Sequence, residues 1–391
     1  MTDAIVPTTD EQSLAFEKDF GEPLRDVLDL TTWRGLEDVQ LLYDRLEQEV
    51  AAAVAQEDRI RAAIRSDVIP HITTNKNAPP FAGAWSLTPE DIQRAQDETL
   101  FNGAVDAVRG TSFVLDSLQL TVIQLGVCLL RYRGDERTWE HRVLRRDLAG
   151  TGMDPVKEAL DLIDMRARKD NTGLHQPDRV TELGTRGITA VAERAILARV
   201  ATAPWRMGSG QPAPFEILSG AGAVDIVQDG LAVLRELLLE HGRYVFVQRS
   251  PRKRGLLTIG LALRPLEFAV VHYLQSYIQE MVEGGHLRGE RREDALEFVR
   301  NAGREVIVGV FRISDTAPPY VFFAPADPDL CAQAATLAMA DAALQEHVGY
   351  PLLLDLADRL AQEALGQRSV RAATQAAFHA HGYAPMGLDE R

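Results

Sequence analysis

Two cysteines, Cys128 and Cys331, are all that 391 residues contain. Both fall in apolar segments, so no disulfide framework is available and buried free thiols are expected, as in a reducing, cytoplasmic compartment. Basic charge is also short: 42 Lys and Arg stand against 57 Asp and Glu, a net charge of −15. Such a chain repels a phosphate backbone at long range, which excludes a general nucleic-acid coat but not a local basic groove. No apolar run approaches the ~18 residues of a membrane span. The N-terminal MTDAIVPTTDEQ has neither a basic n-region nor an apolar h-region, so no signal peptide is expected. Walker A, Cys-x-x-Cys, His-Glu-x-x-His and Gly-x-Ser-x-Gly patterns are all missing, which removes the usual signatures of P-loop, zinc and serine-hydrolase chemistry.

What is present is enough apolar residue, 46%, for a sizeable core. Residues 1–35 are polar and acidic and predict an arm with a short helix. Over Leu36–Arg65 the apolar residues Val39, Leu42, Leu46, Val50, Ala53, Ile60 and Ile64 fall mainly at three- and four-residue steps. That predicts a helix packed on its own domain or, since the repeat is close to heptad spacing, on a partner or second copy. Ile69–Leu87 is rich in Pro, Asn and Gly and predicts a loop, completing a helical region and linker over 36–100. Thr88-Pro89-Glu90-Asp91 has the form of an N-cap with proline in the first turn, predicting a helix to about Thr99.

Strand signals follow at Gly103–Val108, in a long β-hairpin within Val108–Gly134, and at Phe215–Leu218, Tyr244–Gln248, Val306–Ile313 and Tyr320–Ala324. Helical patterns occupy Pro155–Lys169, Thr189–Val200, Val224–His241 (closed by Gly242), Arg264–Val282 and Arg292–Asn301. From Asp327 on the chain is mostly helical, with breaks at Gly349-Tyr350-Pro351 and Gly366. This interleaving predicts an α/β fold, a mixed sheet with helices on its faces. Ser219-Gly220-Ala221-Gly222, read as lying between a strand and a helix, is a weak candidate for anion binding at a helix N-terminus. Arg249, Arg252, Lys253 and Arg254 form a basic cluster suited to DNA phosphates, with smaller ones at Arg142, Arg145 and Arg146 and at Arg288, Arg291 and Arg292. His379 and His381 belong to a polar tail rather than a metal pair.

Four blocks, in order, resemble the NurA nuclease family. The frame Val108-Arg109-Gly110-Thr111, then Asp116, then Leu120–Leu130 is similar to the family's Val-Asp-Gly-Ser turn and following strand. Glu193 in VAERAILARV resembles the family's glutamate-bearing helix. FEILSG, Phe215–Gly220, resembles its strand ending in Asp-Gly, and the segment YVFVQRSPRKRG its strand and basic turn. Gly349-Tyr350-Pro351-Leu352 resembles its Tyr-Pro pair, with Ala357-Asp358 where the family has Ala-His. The resemblance covers about Gly103 to Gly366 and implies a ribonuclease H-like domain over 101–366, followed by a C-terminal helical tail over 367–391. It also implies DNA ends as substrate or ligand, manganese or magnesium as cofactor, a homodimer, and a HerA-type hexameric translocase ATPase as partner.

Hard divalent cations want oxygen ligands, so such a nuclease needs carboxylates at strand ends and on a neighbouring helix. Here Arg109 and Ser219 stand at two expected aspartates, Asp358 at an expected histidine, and only Glu193 and Tyr350 are kept. Catalytic positions implied by the resemblance are therefore Glu193, Tyr350 and Asp358, with Arg109 and Ser219 degenerate. A relocated metal site from Asp106, Asp116, Glu193, Asp225 and Asp358 is the alternative to ordinary capping and surface acids; on a strand, Asp106 faces away from Arg109. Arg109 placed near Glu193 is expected to form an ion pair where a metal bridged carboxylates. Two functions remain open: a non-catalytic NurA-like protein of DNA-end processing and double-strand break repair, or an active manganese-dependent nuclease using a rearranged carboxylate set.

Overall fold

A computed structural model describes residues 10–33, 39–75, 78–117, 120–134, 136–145, 156, 179–220, 226–249, 255–384 and 389–390. The chain divides into two compact units, Met1–Ala62 and Ala63–Arg391. The first carries helices α1 (Asp10–Phe20), α2 (Leu24–Leu28) and most of α3 (Val39–Ala63).

The second unit is built on one ten-stranded mixed sheet. In chain order it comprises α4 (Ile69–Ile72), β1 (Gly83–Ser86), α5 (Pro89–Ala95), β2 (Val105–Asp116), β3 (Thr121–Leu130) and β4 (Glu136–Arg145). Then come α6 (Arg179–Ala195), β5 (Trp205–Ser209), α7 (Phe215–Leu218), α8 (Ile226–Arg235), β6 (Tyr244–Gln248), α9 (Gly255–Leu261) and β7 (Glu267–Tyr273). The remainder is α10 (Gln275–Glu283), α11 (Gly289–Ala302), β8 (Val306–Arg312), β9 (Tyr320–Pro325), α12 (Pro328–Ala342), α13 (Leu352–Leu365), α14 (Gln367–Ala380) and β10 (Asp389–Glu390).

Strand order is β1-β7-β8-β9-β6-β5-β2-β3-β4, with β10 pairing β2 off that path. Among the described residues only β2, β5 and β6 pair in parallel; the β2-β3-β4 meander is antiparallel. The run β4-β3-β2-β5-β6, an antiparallel meander continued by two parallel strands, is ribonuclease H-like. Period-two alternation sends neighbouring residues to opposite faces. Val108, Tyr244 and Phe246 pack with Ile217, Leu231, Ile278 and Phe298, under the face covered by α6, α7, α8, α10 and α11. Val105, Ala107, Met207, Val245 and Val247 pack on the other face with Ala334, Leu337, Leu353 and Leu354 of α12 and α13. Strands covered on both faces read as continuous apolar runs, as the wholly buried β8 and β9 do.

Local signals account for several boundaries. The Thr88 hydroxyl accepts from the Asp91 N–H at 3.2 Å while the Thr88 N–H donates to the Asp91 carboxylate at 3.0 Å, a capping box that starts α5 at Pro89. Gly242, at φ 67°, takes the left-handed conformation that ends the π-turn extending α8.

Other expectations are corrected. Phe215–Leu218 is a helical turn after Pro214, not a strand; the strand of that region is WRMGS, Trp205–Ser209. Arg264–Val282 is not one helix: EFAVVHY forms β7, and α10 begins only at Gln275. Its buried β-branched run fits a strand as readily as a helix face. The hairpin gains a third strand, β4, whose charged ERTWEHRVLR hid it because an edge strand needs no apolar face. Gly83–Ser86 pairs with β7 within the expected loop. The helix expected over Pro155–Lys169 lies almost wholly outside the described residues.

Candidate functional site

The parallel pairing of β2 with β5 ends at Val108 and Gly208 and that of β5 with β6 at Ser209 and Val247, and residues just past the carboxyl end of parallel pairing are where α/β sheets place their sites. Arg109 on β2, Ser209 closing β5 and Arg249 following β6 all occupy the parity that faces α13. Arg109 Nη1 donates to the Ser209 hydroxyl at 2.9 Å, and that hydroxyl lies 3.1 Å from the Tyr350 hydroxyl. Arg109 Nε donates to Asp358 of α13 at 2.9 Å. The Arg249 guanidinium lies 4.4 Å from the centre of the Tyr350 ring and bonds Asp355 at 2.6 Å. Asp355 and Asp358 share a face of α13, three residues apart.

The buried Asp341 holds α13 in place. Pro351 precedes the helix and has no side chain able to cap it. The cap comes instead from Asp341 of α12: one oxygen accepts from the Leu353 N–H at 2.9 Å, the other from the Tyr132 hydroxyl. Burial pushes the Asp341 carboxyl up to about 6, against those two hydrogen bonds. Burial likewise raises the Tyr350 phenol, with the Ser209 hydrogen bond and the Arg109 and Arg249 charges opposing it.

Glu193 reaches the sheet from the opposite face. Gly110, next to Arg109, points its α-carbon at α6; an added Cβ would lie 2.6 Å from Thr189 Cγ2 and 2.9 Å from Glu193 Cγ. Glycine alone allows that approach, and the Gly110 N–H donates to Glu193 at 2.5 Å. The second Glu193 oxygen pairs with the buried Arg194 guanidinium. Arg194 also donates to the carbonyls of Gln211 at 2.7 Å and Ser209 at 3.2 Å, fixing the loop that follows β5. Burial lowers the Arg194 pKa, with Glu193 opposing. For Arg109 the balance is reversed: burial would lower it, but Glu193, Asp358 and Tyr350 outweigh burial and raise it.

The expected Arg109–Glu193 ion pair is therefore not formed. Alternation carries the two side chains to opposite faces of β2, so Arg109 pairs with Asp358 and Glu193 with Arg194.

The fit to a divalent cation follows from what these oxygens already do. Glu193 serves the Gly110 N–H and Arg194; Asp358 serves Arg109 and Gln362; Asp355 serves Arg249 and Arg359. A cation there would have to displace guanidinium groups bonded to its own prospective ligands. Among the described residues, no group of three His, Cys, Asp or Glu side chains is placed to hold a metal. The donor set does not fit manganese or magnesium.

The remaining sequence candidates lie apart. Asp106 is wholly buried on the α6 face; its oxygens accept from Arg131 at 2.9 Å and from the N–H groups of Thr202 and Ala203 at 2.7 and 2.8 Å. Asp116 is seven residues beyond Arg109 on the same strand, roughly 23 Å away, opposite Thr121 and Asp389. Ser219 caps α7, where its hydroxyl bonds the Phe215 carbonyl at 2.7 Å and its carbonyl accepts from the His286 N–H at 2.8 Å. The Ser219-Gly220 turn thus follows a helical turn rather than a strand. Asp225, Arg252, Lys253 and Arg254 lie outside the described residues; of the cluster Arg249, Arg252, Lys253 and Arg254 only Arg249 is placed, at the site.

Four residues of the site escaped the sequence reading: Ser209, Arg194, Asp355 and Asp341. Ser209-Gly210 repeats the Ser-Gly signature of Ser219-Gly220, with Ser209 closing the true strand. Arg194 directly follows Glu193. Asp355 stands one helical turn before Asp358. Asp341 carried no sequence signal, since its partners lie 12 and 209 residues away.

The strand order and pairing define a mixed α/β protein of ribonuclease H-like type. No family model and no curated protein matches the chain. Among solved structures its fold is similar to the NurA nuclease from Sulfolobus solfataricus, at TM-score 0.46 and 9% identity over 87% of this chain and 97% of that one. NurA with manganese aligns at TM-score 0.39 and 9% identity over 74% and 95% of the two chains. NurA bound to dAMP and manganese aligns at 0.41 and 8% over 81% and 92%. Among the described residues no helix is long and apolar enough to cross a membrane.

Proposed function

We propose that this chain is a NurA-like protein of DNA-end processing and double-strand break repair that acts without cleaving DNA, as a DNA-binding partner of a HerA-type hexameric ATPase. The observation that carries this reading is Arg109: a guanidinium held by Asp358 and Ser209 at the strand end where the resemblance expects a metal-binding aspartate. A fixed cation with directed donors neutralises neighbouring carboxylates, but it does not activate water. The sequence blocks support the family and the translocase partner. The half-exposed Arg109 and Arg249, beside the end of the parallel pairing, supply charge for a DNA phosphate.

The test uses purified full-length protein with labelled single- and double-stranded DNA and manganese, alone and with its cognate translocase. The expected result is no cleavage in either setting, with binding to DNA and to the translocase retained. Manganese-dependent cleavage that disappears in Asp358→Asn or Glu193→Gln would overturn the proposal and establish a nuclease with a rearranged carboxylate set. The NurA neighbours solved with manganese make that ion the one to use.

A further inference from the structure

Strands β3 and β4 and helix α14 wall an apolar groove of about 580 Å³. Leu120, Val122 and Leu144 form its sheet side, where the register sets Leu144 opposite Val122 so that both project from one face. Val370, Ala373, Ala377 and Phe378 form the helix side, a stripe at three- and four-residue steps. The floor is sealed, with Val122 and Val370 buried, but the walls are open: Leu144 is 54% and Tyr383 67% exposed. Ala373 and Ala377, both exposed and one turn apart, keep the helix wall low enough for a second helix axis to approach to about 8–10 Å. Small-molecule sites enclose most of their ligand. This groove is instead open along its length, about 16 Å from Val370 to His381, the footprint of three helical turns.

We propose that this groove binds an acidic amphipathic helix of a partner protein, its aliphatic face on the floor and its carboxylates along the walls. Charge selects that partner. From Gln367 to Leu388 the sequence has no Asp or Glu, although 57 of its 391 residues are acidic. The same stretch carries Arg368, Arg371, His379 and His381, and Arg142 stands on the sheet side. Arg142 is already ordered, its Nε donating to Gln124 Oε1 at 2.7 Å, so little side-chain entropy is lost when a carboxylate meets it. Glu140, two residues away on the same face, is turned to the Gln124 amide at 2.9 Å. The net charge of −15 repels an acidic peptide at long range. At physiological ionic strength that field is screened beyond about 8 Å, so the local cations decide. A nucleic acid would meet the same cations but leave the aliphatic floor without a partner. The groove shares no residue with the site around Arg109, and the two readings can fail separately.

The experiment is fluorescence anisotropy on the full-length protein with a labelled synthetic peptide of about four helical turns, leucines on one face and glutamates on the other. Two control peptides replace the glutamates by lysines or scatter the leucines around the helix, and unlabelled single-stranded DNA serves as competitor. The glutamate peptide is expected to bind at micromolar concentration, about tenfold or more tighter than either control, and to resist displacement by DNA. Ala373→Glu/Ala377→Glu on one wall and Leu144→Glu on the other are each expected to abolish binding with an unchanged thermal transition, because all three residues are exposed. Arg142→Gln is expected to weaken the glutamate peptide by about threefold. No saturable binding, equal affinity for the glutamate and lysine peptides, displacement by DNA, or binding that survives both groove variants would each overturn the proposal.

Discussion

Asp341 ties the pH dependence of stability to the element that carries half of the candidate site. It is wholly buried, its two oxygens accept from the Tyr132 hydroxyl and the Leu353 N–H, and burial raises its pKa from 3.8 to about 6. The folded state therefore binds this proton more tightly than the unfolded chain does. Between about pH 4 and pH 6 the folded state holds more protons, so stability falls as pH rises through that window. Below it the group is protonated in both states and costs nothing; above it the whole cost is present. A shift of about two units corresponds to ~3 kcal/mol at pH 7. The perturbation is Asp341→Asn. Its carboxamide oxygen accepts from Leu353 N–H, and its amide group donates to the Tyr132 oxygen, so the cap of α13 survives without an ionisable group. Urea unfolding of both proteins at pH 4, 5, 6 and 7 supplies the measurement, and the difference between them cancels every other titrating carboxylate. The mutant is expected to gain about 3 kcal/mol relative to wild type between pH 4 and pH 7. A flat difference, or one falling with pH, would refute the argument that Asp341 ionises at a cost inside the core.

Glu193→Gln keeps the acceptor for the Gly110 N–H but leaves the buried Arg194 guanidinium without its counter-charge; the expected loss is about 3–5 kcal/mol, read as a lower urea midpoint at unchanged slope. Gly110→Ala forces a methyl group to 2.6 Å from Thr189 and 2.9 Å from Glu193, so α6 must lift from β2 at a cost of about 1–3 kcal/mol in the same assay. Arg249→Ala removes the cation over Tyr350; DNA affinity is expected to fall for all sequences alike, with the salt slope reduced by about 1, as measured by fluorescence anisotropy. Adding manganese or a chelator is expected to leave the melting temperature unchanged, whereas an ion bound specifically to the folded protein at a hundredfold its Kd would stabilise it by about 2.7 kcal/mol.

Much of the scaffold was legible because it depends on local pattern. The box Thr88–Asp91, the glycine after His241 and the buried runs of β6, β8 and β9 each carry their signal within a few residues. Two of the differences share one cause: short apolar runs fit a strand or a helix equally well. FEIL is a helical turn and EFAVVHY a strand, the reverse of what their patterns favour, and only packing against the sheet decides them. The site was legible in its members but not in its pairings. Arg109, Glu193, Tyr350 and Asp358 were all singled out, and Arg109, Tyr350 and Asp358 do converge, yet which carboxylate meets Arg109 depends on the face each residue takes on β2. Ser209 was missed with its strand, and Asp341 because nothing in its own neighbourhood marks a buried acid.

That question of face explains why an arginine is tolerated at position 109. The side chain lies on the α13 side of the sheet, where Asp358 and the Ser209 hydroxyl already offer oxygens. The carboxylate on the other side, Glu193, is balanced by Arg194 and contributes only its field across the strand. Each face is close to neutral in its own contacts: Arg109 with Asp358, Arg249 with Asp355, Arg194 with Glu193. Carboxylates at a strand end normally need an outside cation to hold them together. Here each has a guanidinium covalently tied to the fold, which cannot dissociate and makes directed hydrogen bonds that a spherical ion would not. Removing one partner leaves a poorly solvated charge behind, so replacing Arg109 alone by an acid would unbalance Asp358 without creating a coordination sphere. The three ion pairs thus balance the carboxylates of this region from within the fold, each with a guanidinium on its own face of the sheet.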